Sequence, residues 1–379
     1  MKSRSPRPPS KLGLAVPCGL AALLWGTLVH AEPTGETLAD IEEDAREASH
    51  AMDLTVVPVP QLSPALGFGV TLAALAVYSV DENEPSWTTG IGALATTNGS
   101  RAYGAYHRMS LGGDAYRFTL LGGHGDFNLT YYGTGPILKD RSVELNQEGT
   151  FASLLALARI KPRLYAGLRL QGLSLTTRFR TEEPIAPALD IPPLELDTQI
   201  VTLGPALQYD SRDSIYFPRQ GQFAEAPWAI SDGALGSDFD YSKVDVGVNA
   251  YLPVGDEEVV AARASICSSS GHPPFFDLCL YGEQADLRGY EAGRFRDRFR
   301  ATAQVEYRGR LTGRFGYVVF AGAGFSGPGF MDFSATRFLP SAGAGLRYRL
   351  SQETPINLSL DFAVGRHSHA VSVSVGEAF

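Results

Sequence analysis

The sequence predicts an all-β protein, a single 16-stranded antiparallel transmembrane β-barrel spanning residues 54–379. Three observations predict it. From Gly67 to Phe379, short stretches alternate polar and apolar side chains with a period of two, the signature of strands with two unlike faces. The connections between those stretches alternate in length. After an export-type leader there is no apolar run of 18 or more residues, so a membrane crossing would have to be made by strands.

The leader comes first. Lys2, Arg4, Arg7 and Lys11 make a basic start, LGLAVPCGLAALLWGTLV an apolar core, and VHA places small residues before Glu32, so residues 1–31 are expected to be a signal peptide. Pro17, the glycines and the cleavage site weigh against an uncleaved anchor, and Pro17 before Cys18 weighs against a lipoprotein cysteine. Removing residues 1–31 takes four of the 32 basic residues and none of the 41 acids, leaving a balance of −13. So acidic a chain is a poor nucleic-acid binder. Residues 32–53 are acidic and carry a capping-box-like Thr37 and Asp40, which reads as a short periplasmic leader. Export without a membrane helix points to the bacterial outer membrane, with its lipid bilayer as the first partner.

Sixteen strand candidates follow, near 67–79, 88–98, 101–110, 115–123, 126–132, 147–160, 163–181, 198–210, 220–231, 238–252, 256–269, 299–310, 314–325, 340–350, 355–365 and 370–379. Alternation is clearest late in the chain. Leu358, Leu360, Phe362 and Val364 oppose Asn357, Ser359, Asp361 and Ala363, and Val371, Val373, Val375 and Phe379 oppose Ser372, Ser374 and Gly376. A barrel with a wet lumen explains Arg, Glu and Gly on the partner face. Connections 80–87, 133–146, 182–197, 232–237, 270–298 and 326–339 read as outer loops, and 99–100, 124–125, 161–162, 253–255, 311–313 and 351–354 as periplasmic turns. The short 111–114 and the long DSRDSIYFPRQG connections break that rhythm.

Three motifs carry a resemblance. YDSRDSIYFPRQGQF supplies Asp210, Arg212, Asp213, Phe217, Pro218 and Gly221; LRGYEAGRFRDRF…VEYRGR opens on Leu287, Arg288, Gly289 and Tyr290; VGEAF ends on Phe379. In these the chain resembles the bacterial surface antigen family, barrels of the BamA/TamA type that assemble or translocate proteins at the outer membrane. The resemblance implies a D-x-R-D…FP-x-x-G turn, a long sixth loop folded into the lumen, a carboxyl-terminal barrel signature, and outer-membrane protein clients or a periplasmic partner. Two departures stand out. The 22 residues between the expected cleavage site and Leu54 are too few for a POTRA domain, and Gly322 in FAGAG stands where the family's F-x-D-x-G pattern places Asp.

An Arg288 folded into the lumen needs a carboxylate. Glu306 and Asp361 both face inward, and Asp361 is favoured because Glu306 has Arg308 as a same-face neighbour; Glu306, Arg308, Arg347 and Arg349 read as a mutually paired interior. Cys267 and Cys279, exported and 12 positions apart, read as a disulfide rather than free thiols or a metal pair. His367-x-His369 lacks a third ligand nearby, so no metal is expected. No G-x-S-x-G and no Gly-rich loop before a helix is present, so neither enzyme activity nor a cofactor is expected. The resemblance implies help in inserting or passing proteins or lipids through a weak seam, placed between 67–78 and 370–379. The alternative is a small pore or structural barrel with a loop plug, and a membrane hydrolase is the third reading.

Overall fold

In the computed structural model, residues 53–379 are described except for 64–65, 79, 81–86, 132–142, 181–194, 215–216, 256, 282–285, 291–294, 330–337 and 350–356. The expected signal peptide and the leader up to residue 52 lie outside the described residues.

The strands in chain order are β1 (Asp53–Ser63), β2 (Gly67–Tyr78), β3 (Trp87–Thr96), β4 (Arg101–Leu111), β5 (Tyr116–Tyr131), β6 (Val143–Lys161), β7 (Leu164–Arg180), β8 (Glu195–Asp210) and β9 (Gly221–Ser231). There follow β10 (Tyr241–Pro253), β11 (Val259–Gly271), β12 (Cys279–Tyr281), β13 (Phe295–Asp297), β14 (Phe299–Thr312), β15 (Phe315–Gly327), β16 (Phe338–Arg349), β17 (Asn357–Gly365) and β18 (Ser368–Val375). Sixteen of them form one antiparallel sheet in sequential order, and β12 pairs with β13 inside the connection between β11 and β14. β1 and β18 stand at the two ends of the sheet and approach within 8 Å Cα–Cα, with no ladder joining them among the described residues. The fold is a nearly closed 16-stranded barrel.

The face pattern assigns inside and outside. On β17, Asn357, Ser359, Asp361 and Ala363 are buried whereas Leu360, Phe362 and Val364 are exposed. Exposed apolar side chains recur outward around the wall, among them Leu168, Leu170, Leu203, Leu207, Val305, Val319 and Leu346. A monomer in water does not show so broad an apolar band; a lipid-facing barrel does.

Two strand expectations are corrected, and they cancel in the count. β1 lies where no strand was expected: Pro58 and Pro60 break the usual strand composition, which an edge strand tolerates because its outer donors need no partner. Conversely, 115–123 and 126–132 are one strand, β5. Its Gly122, Gly123 and Gly125 resemble a turn but stay in register with β6, and a Cβ on Gly123 would meet the Phe151 ring at 2.8 Å.

The shift re-sorts the ends. Connections 79–86 and 112–115 fall at the end where β1 starts and β18 finishes, together with 162–163, 211–220, 254–258 and 313–314. Connection 97–100 falls at the opposite end with 132–142, 181–194, 232–240, 272–298 and 328–337. The short 112–115 turn is therefore no exception, and 272–298 is the sixth connection at its end. The last strand also stops early. β18 ends at Val375, and Gly376, at φ +94°, turns the chain inward, so Phe379 is buried with Tyr251, Val259, Ala261 and Phe217 rather than closing an outward row.

Candidate lumenal latch

The described residues of the 272–298 connection fold into the lumen. The Cys267–Cys279 disulfide ties β12 to the end of β11. Tyr281, Tyr290 and Phe295 meet edge-on, with centroids 5.5, 5.6 and 6.4 Å apart, over Leu287 and Leu339. The Tyr281 hydroxyl donates to the Leu339 carbonyl at 3.1 Å, and the Tyr290 hydroxyl to that of Pro340 at 2.5 Å. Arg366 N–H donates back to the Tyr290 hydroxyl at 2.8 Å. Burial pushes the Tyr281 phenol far above its ordinary pKa, so it remains a donor at any neutral pH.

Arg288 sits at the tip of this fold. It is 3% exposed, which its charge requires to be compensated in full. Its Nη1 donates to Asp361 Oδ2 at 2.7 Å, its Nη2 pairs with Glu306, and its guanidinium lies 3.4 Å from the Phe320 ring centroid. Both candidate carboxylates therefore hold one fork, Glu306 from β14 and Asp361 from β17. Gly289 takes φ +100°, and a Cβ there would meet the Val364 carbonyl carbon at 3.0 Å, so the loop passes over β17 only as glycine. Gly322 is explained by the same packing. A Cβ there would stand 2.7 Å from Leu287 Cδ1, so Leu287 occupies the space an Asp would need.

The pairing continues below the latch. Arg308 Nε donates to Glu306 Oε1 at 2.6 Å, its Nη2 to the Phe379 carbonyl oxygen at 2.6 Å and its Nη1 to the Pro218 carbonyl at 3.4 Å. Arg347 bridges Asp361 and Glu377, reaching Glu377 Oε2 at 2.8 Å, and Asn357 donates to Glu377 Oε1 at 2.8 Å. Three arginines and three carboxylates thus alternate through the lumen: Arg288, Glu306, Arg308, Glu377, Arg347 and Asp361. Of the expected interior quartet, Glu306, Arg308 and Arg347 are joined here, and Arg349, at the end of β16, makes no ion pair among the described residues.

The turn motif lies directly beneath. Arg212 clamps Asp210 with Nε to Oδ1 at 3.0 Å and Nη2 to Oδ2 at 2.8 Å. Asp213 Oδ1 accepts the Arg219 N–H at 2.9 Å and the Gln220 N–H at 3.2 Å. Gly221, at φ +101°, has Ser211 O where a Cβ would stand. Phe217 packs on the Tyr251–Phe379 cluster. Arg308 therefore touches the turn, the strand after the loop and the carboxyl terminus at once, joining three motifs that are far apart in sequence.

A second ionic group escapes sequence reasoning. Asp286, beside Leu287, is 3% exposed and accepts from Arg263 Nε at 3.1 Å and the Ser265 hydroxyl at 3.0 Å, and pairs with Arg300. Arg300 also reaches Asp245 at 3.1 Å. No spacing rule in the chain brings 263, 286 and 300 together; only the register of β11 on β14 does, together with the fold of the loop. Glu377 was legible only as part of VGEAF.

The whole arrangement pairs charges and fills space. Among the described residues no group of three His, Cys, Asp or Glu could hold a metal, and the pairs are cation–carboxylate rather than nucleophile–base. A transmembrane β-barrel whose sixth connection at one end is latched to its inner wall defines a class, and the comparisons name it. Residues 90–379 match the Omp85 superfamily domain, and the chain belongs to that superfamily. In fold it is similar to BamA from Haemophilus ducreyi lacking POTRA domains 1–3, at TM-score 0.59 and 14% identity over 86% of this chain and 70% of that one. It is also similar to CdiB from Escherichia coli, at TM-score 0.55 and 11% identity over 89% and 70%, and to CdiB from Acinetobacter baumannii, at 0.54 and 10% over 86% and 65%. No curated protein matches the chain in sequence.

Proposed function

We propose that this barrel works in the bacterial outer membrane, helping proteins insert into or pass across it through the seam between β1 and β18, with both strand ends on the periplasmic side. The observation that carries this reading is the unjoined seam in a sheet whose other neighbours are all laddered. A wall open along one line lets an extended chain reach the bilayer from the lumen without exposing backbone polar groups to lipid. Superfamily membership supports the same reading. The role needs no catalytic step and no cofactor.

The test is deletion of the protein followed by quantitation of the other outer-membrane proteins. The reading expects a selective fall of some of them, restored by the intact chain but not by a chain whose β1 and β18 are joined by an engineered disulfide. Unchanged levels would count against it. A second reading, a plugged pore, is favoured by the buried lumen face beneath the loop, where Arg288, Glu306 and Asp361 are all under 7% exposed. Single-channel conductance that rises when the latch is broken, in a cell with unchanged outer-membrane proteins, would select it.

A further inference from the structure

On the β4–β8 side of the barrel, a cavity of ≈ 530 Å³ opens between the 112–115 and 162–163 connections, at the end where β1 starts and β18 finishes. Asp114, Arg117, Tyr165 and Asp210 line it together with every residue of the RIKPR stretch, 159–163. Both carboxylates are already engaged. Asp114 accepts from Arg117 Nε at 2.7 Å and Nη2 at 2.6 Å, and Asp210 is clamped by Arg212. Arg159, Lys161 and Arg163 are exposed and make no ion pair among the described residues. Three such cations within five residues are a local excess in a chain whose balance past residue 31 is −13. Arg117 is incomplete as well. Its guanidinium lies 3.9 Å from the Tyr165 ring centroid, and its Nη1 is buried without an acceptor.

The backbone is bent to make this arrangement. Arg159 pairs with Tyr165 and Lys161 with Leu164, so Ile160 is the extra residue of a bulge, a device that re-aims side chains. Ile160 is left 56% exposed among the cations. Arg163 takes φ +66°, where glycine is the ordinary choice, and its carbonyl accepts the Asp210 N–H at 3.0 Å, pinning the turn to β8. Asp114 takes φ +63°. Of the three non-glycine residues with left-handed backbone among the described residues, two therefore line this cavity. Such strain gathers at ligand clamps. Tyr116, 53% exposed, shares the outward face of β5 with Leu120, which sets the cavity at the height of an interfacial aromatic belt, where lipid headgroups lie.

We propose that this cavity holds the phosphate of an anionic glycerophospholipid from the inner leaflet of the membrane. Arg159, Lys161 and Arg163 surround its oxygens with charge-assisted donors, and Ile160 meets the glycerol end of its acyl chains. A free phosphate has no use for an exposed isoleucine. An acidic protein segment needs an interface far broader than a cavity of this size. The inference is independent of the function proposed above and shares with it only the periplasmic placement of this end.

The experiment folds the full chain into dodecyl maltoside micelles and titrates it with dioleoylphosphatidylglycerol or dioleoylphosphatidylcholine. Native mass spectrometry reads the fraction that keeps one lipid. Half-saturation is expected at a phosphatidylglycerol concentration roughly tenfold or more below that for phosphatidylcholine, the weight of three cations near an anionic headgroup. Arg159→Gln, Lys161→Gln and Arg163→Gly together should erase the preference, with folding checked by gel shift. Arg310→Gln, Arg314→Gln and Arg349→Gln remove equal charge at the same end of the barrel and should leave it intact. Arg163→Gly alone, which relieves the left-handed backbone, should raise the unfolding temperature in micelles without lipid and weaken phosphatidylglycerol retention. No preference in the parent chain, equal loss in both triple variants, or a stabilised Arg163→Gly with undiminished retention would each overturn the site. Displacement of the bound lipid by an equal concentration of inorganic phosphate would reassign the cavity to a free anion. Displacement by hexaglutamate would reassign it to an acidic protein segment, and either result overturns the lipid.

Discussion

The wall beneath the loop and the seam are close neighbours, since Asp361 of β17 holds Arg288 and β17 also carries β18, yet they are held by opposite means. Beneath the loop, β14 to β17 are laddered without a gap and then cross-linked from inside by arginine–carboxylate pairs. At the seam, two strands lie side by side and one has lost two donors to proline. The difference teaches that a weak line in a barrel needs a stiff region beside it. Glu377 and Phe379, just past the end of β18, are gripped by Arg347, Asn357 and Arg308, so the last strand is anchored at its end while its edge stays free.

The largest expected effect comes from breaking the stiff side. Arg288→Ala leaves Glu306 and Asp361 short of a cation, and removing one member of a buried ionic group costs about 3–5 kcal/mol. Thermal unfolding in detergent, followed by the gel shift between folded and unfolded barrel, should show the loss. Arg288→Lys should recover only part, because a point charge cannot serve two carboxylates with the geometry of a planar fork. Full recovery by Lys would mean that charge alone holds the loop.

Next in size is a test of facing beside the seam. Leu360→Arg places a charge on the lipid face of β17 at about 2–4 kcal/mol near mid-bilayer. Ser372→Arg on the lumenal face of the adjoining strand should be tolerated, since its guanidinium can stay wet. Equal tolerance in folding yield at the two sites would put the strand faces in the wrong order. Ser359 would not serve as the lumenal control, because its hydroxyl donates to the Gly376 carbonyl beneath the tucked tail.

Replacing Cys267 and Cys279 together by Ser should cost about 2–3 kcal/mol through the freed unfolded chain. It should raise protease cutting of the loop yet leave the Arg288 latch closed, because the disulfide ties the loop's outer part and the ionic group its tip. Opening of both would merge two anchors into one.

The smallest effect lies outside both regions. Asp114, in the turn after β4, is pushed up by burial, but the Arg117 pair and the Tyr165 and Ser110 hydroxyls outweigh this and hold its carboxyl below the usual range. Its contribution is therefore full above pH ~4 and lost as pH falls through the lowered value. Asp114→Asn should flatten that part of the acid-stability profile without changing the latch or the seam.

Much of this was legible in the chain. Period-two alternation marked most strands because one face meets lipid and the other the lumen, as in β17. It failed at β1, where proline hides an edge strand, and at β5, where glycines imitate a turn. Those failures shifted the expected seam from β2 to β1. Arg288 could be named from the resemblance of its loop and its two acids from charge and face, but the way Arg308 gathers Pro218, Glu306 and Phe379 depends on register and on the inward turn at Gly376.

The central claim, a seam left open beside an anchored wall, is tested most directly by residue-resolved amide hydrogen exchange of the folded barrel in micelles. The N–H groups of Ala370, Ser372 and Ser374, which point to β17, should exchange slowly, together with those of β14 to β16. Those of His369, Val371 and Val373, which point to the seam, should exchange faster by orders of magnitude, about tenfold for each ~1.4 kcal/mol of missing protection. Equal, slow exchange at alternate residues along β18 would show a closed ladder to β1 and contradict the account.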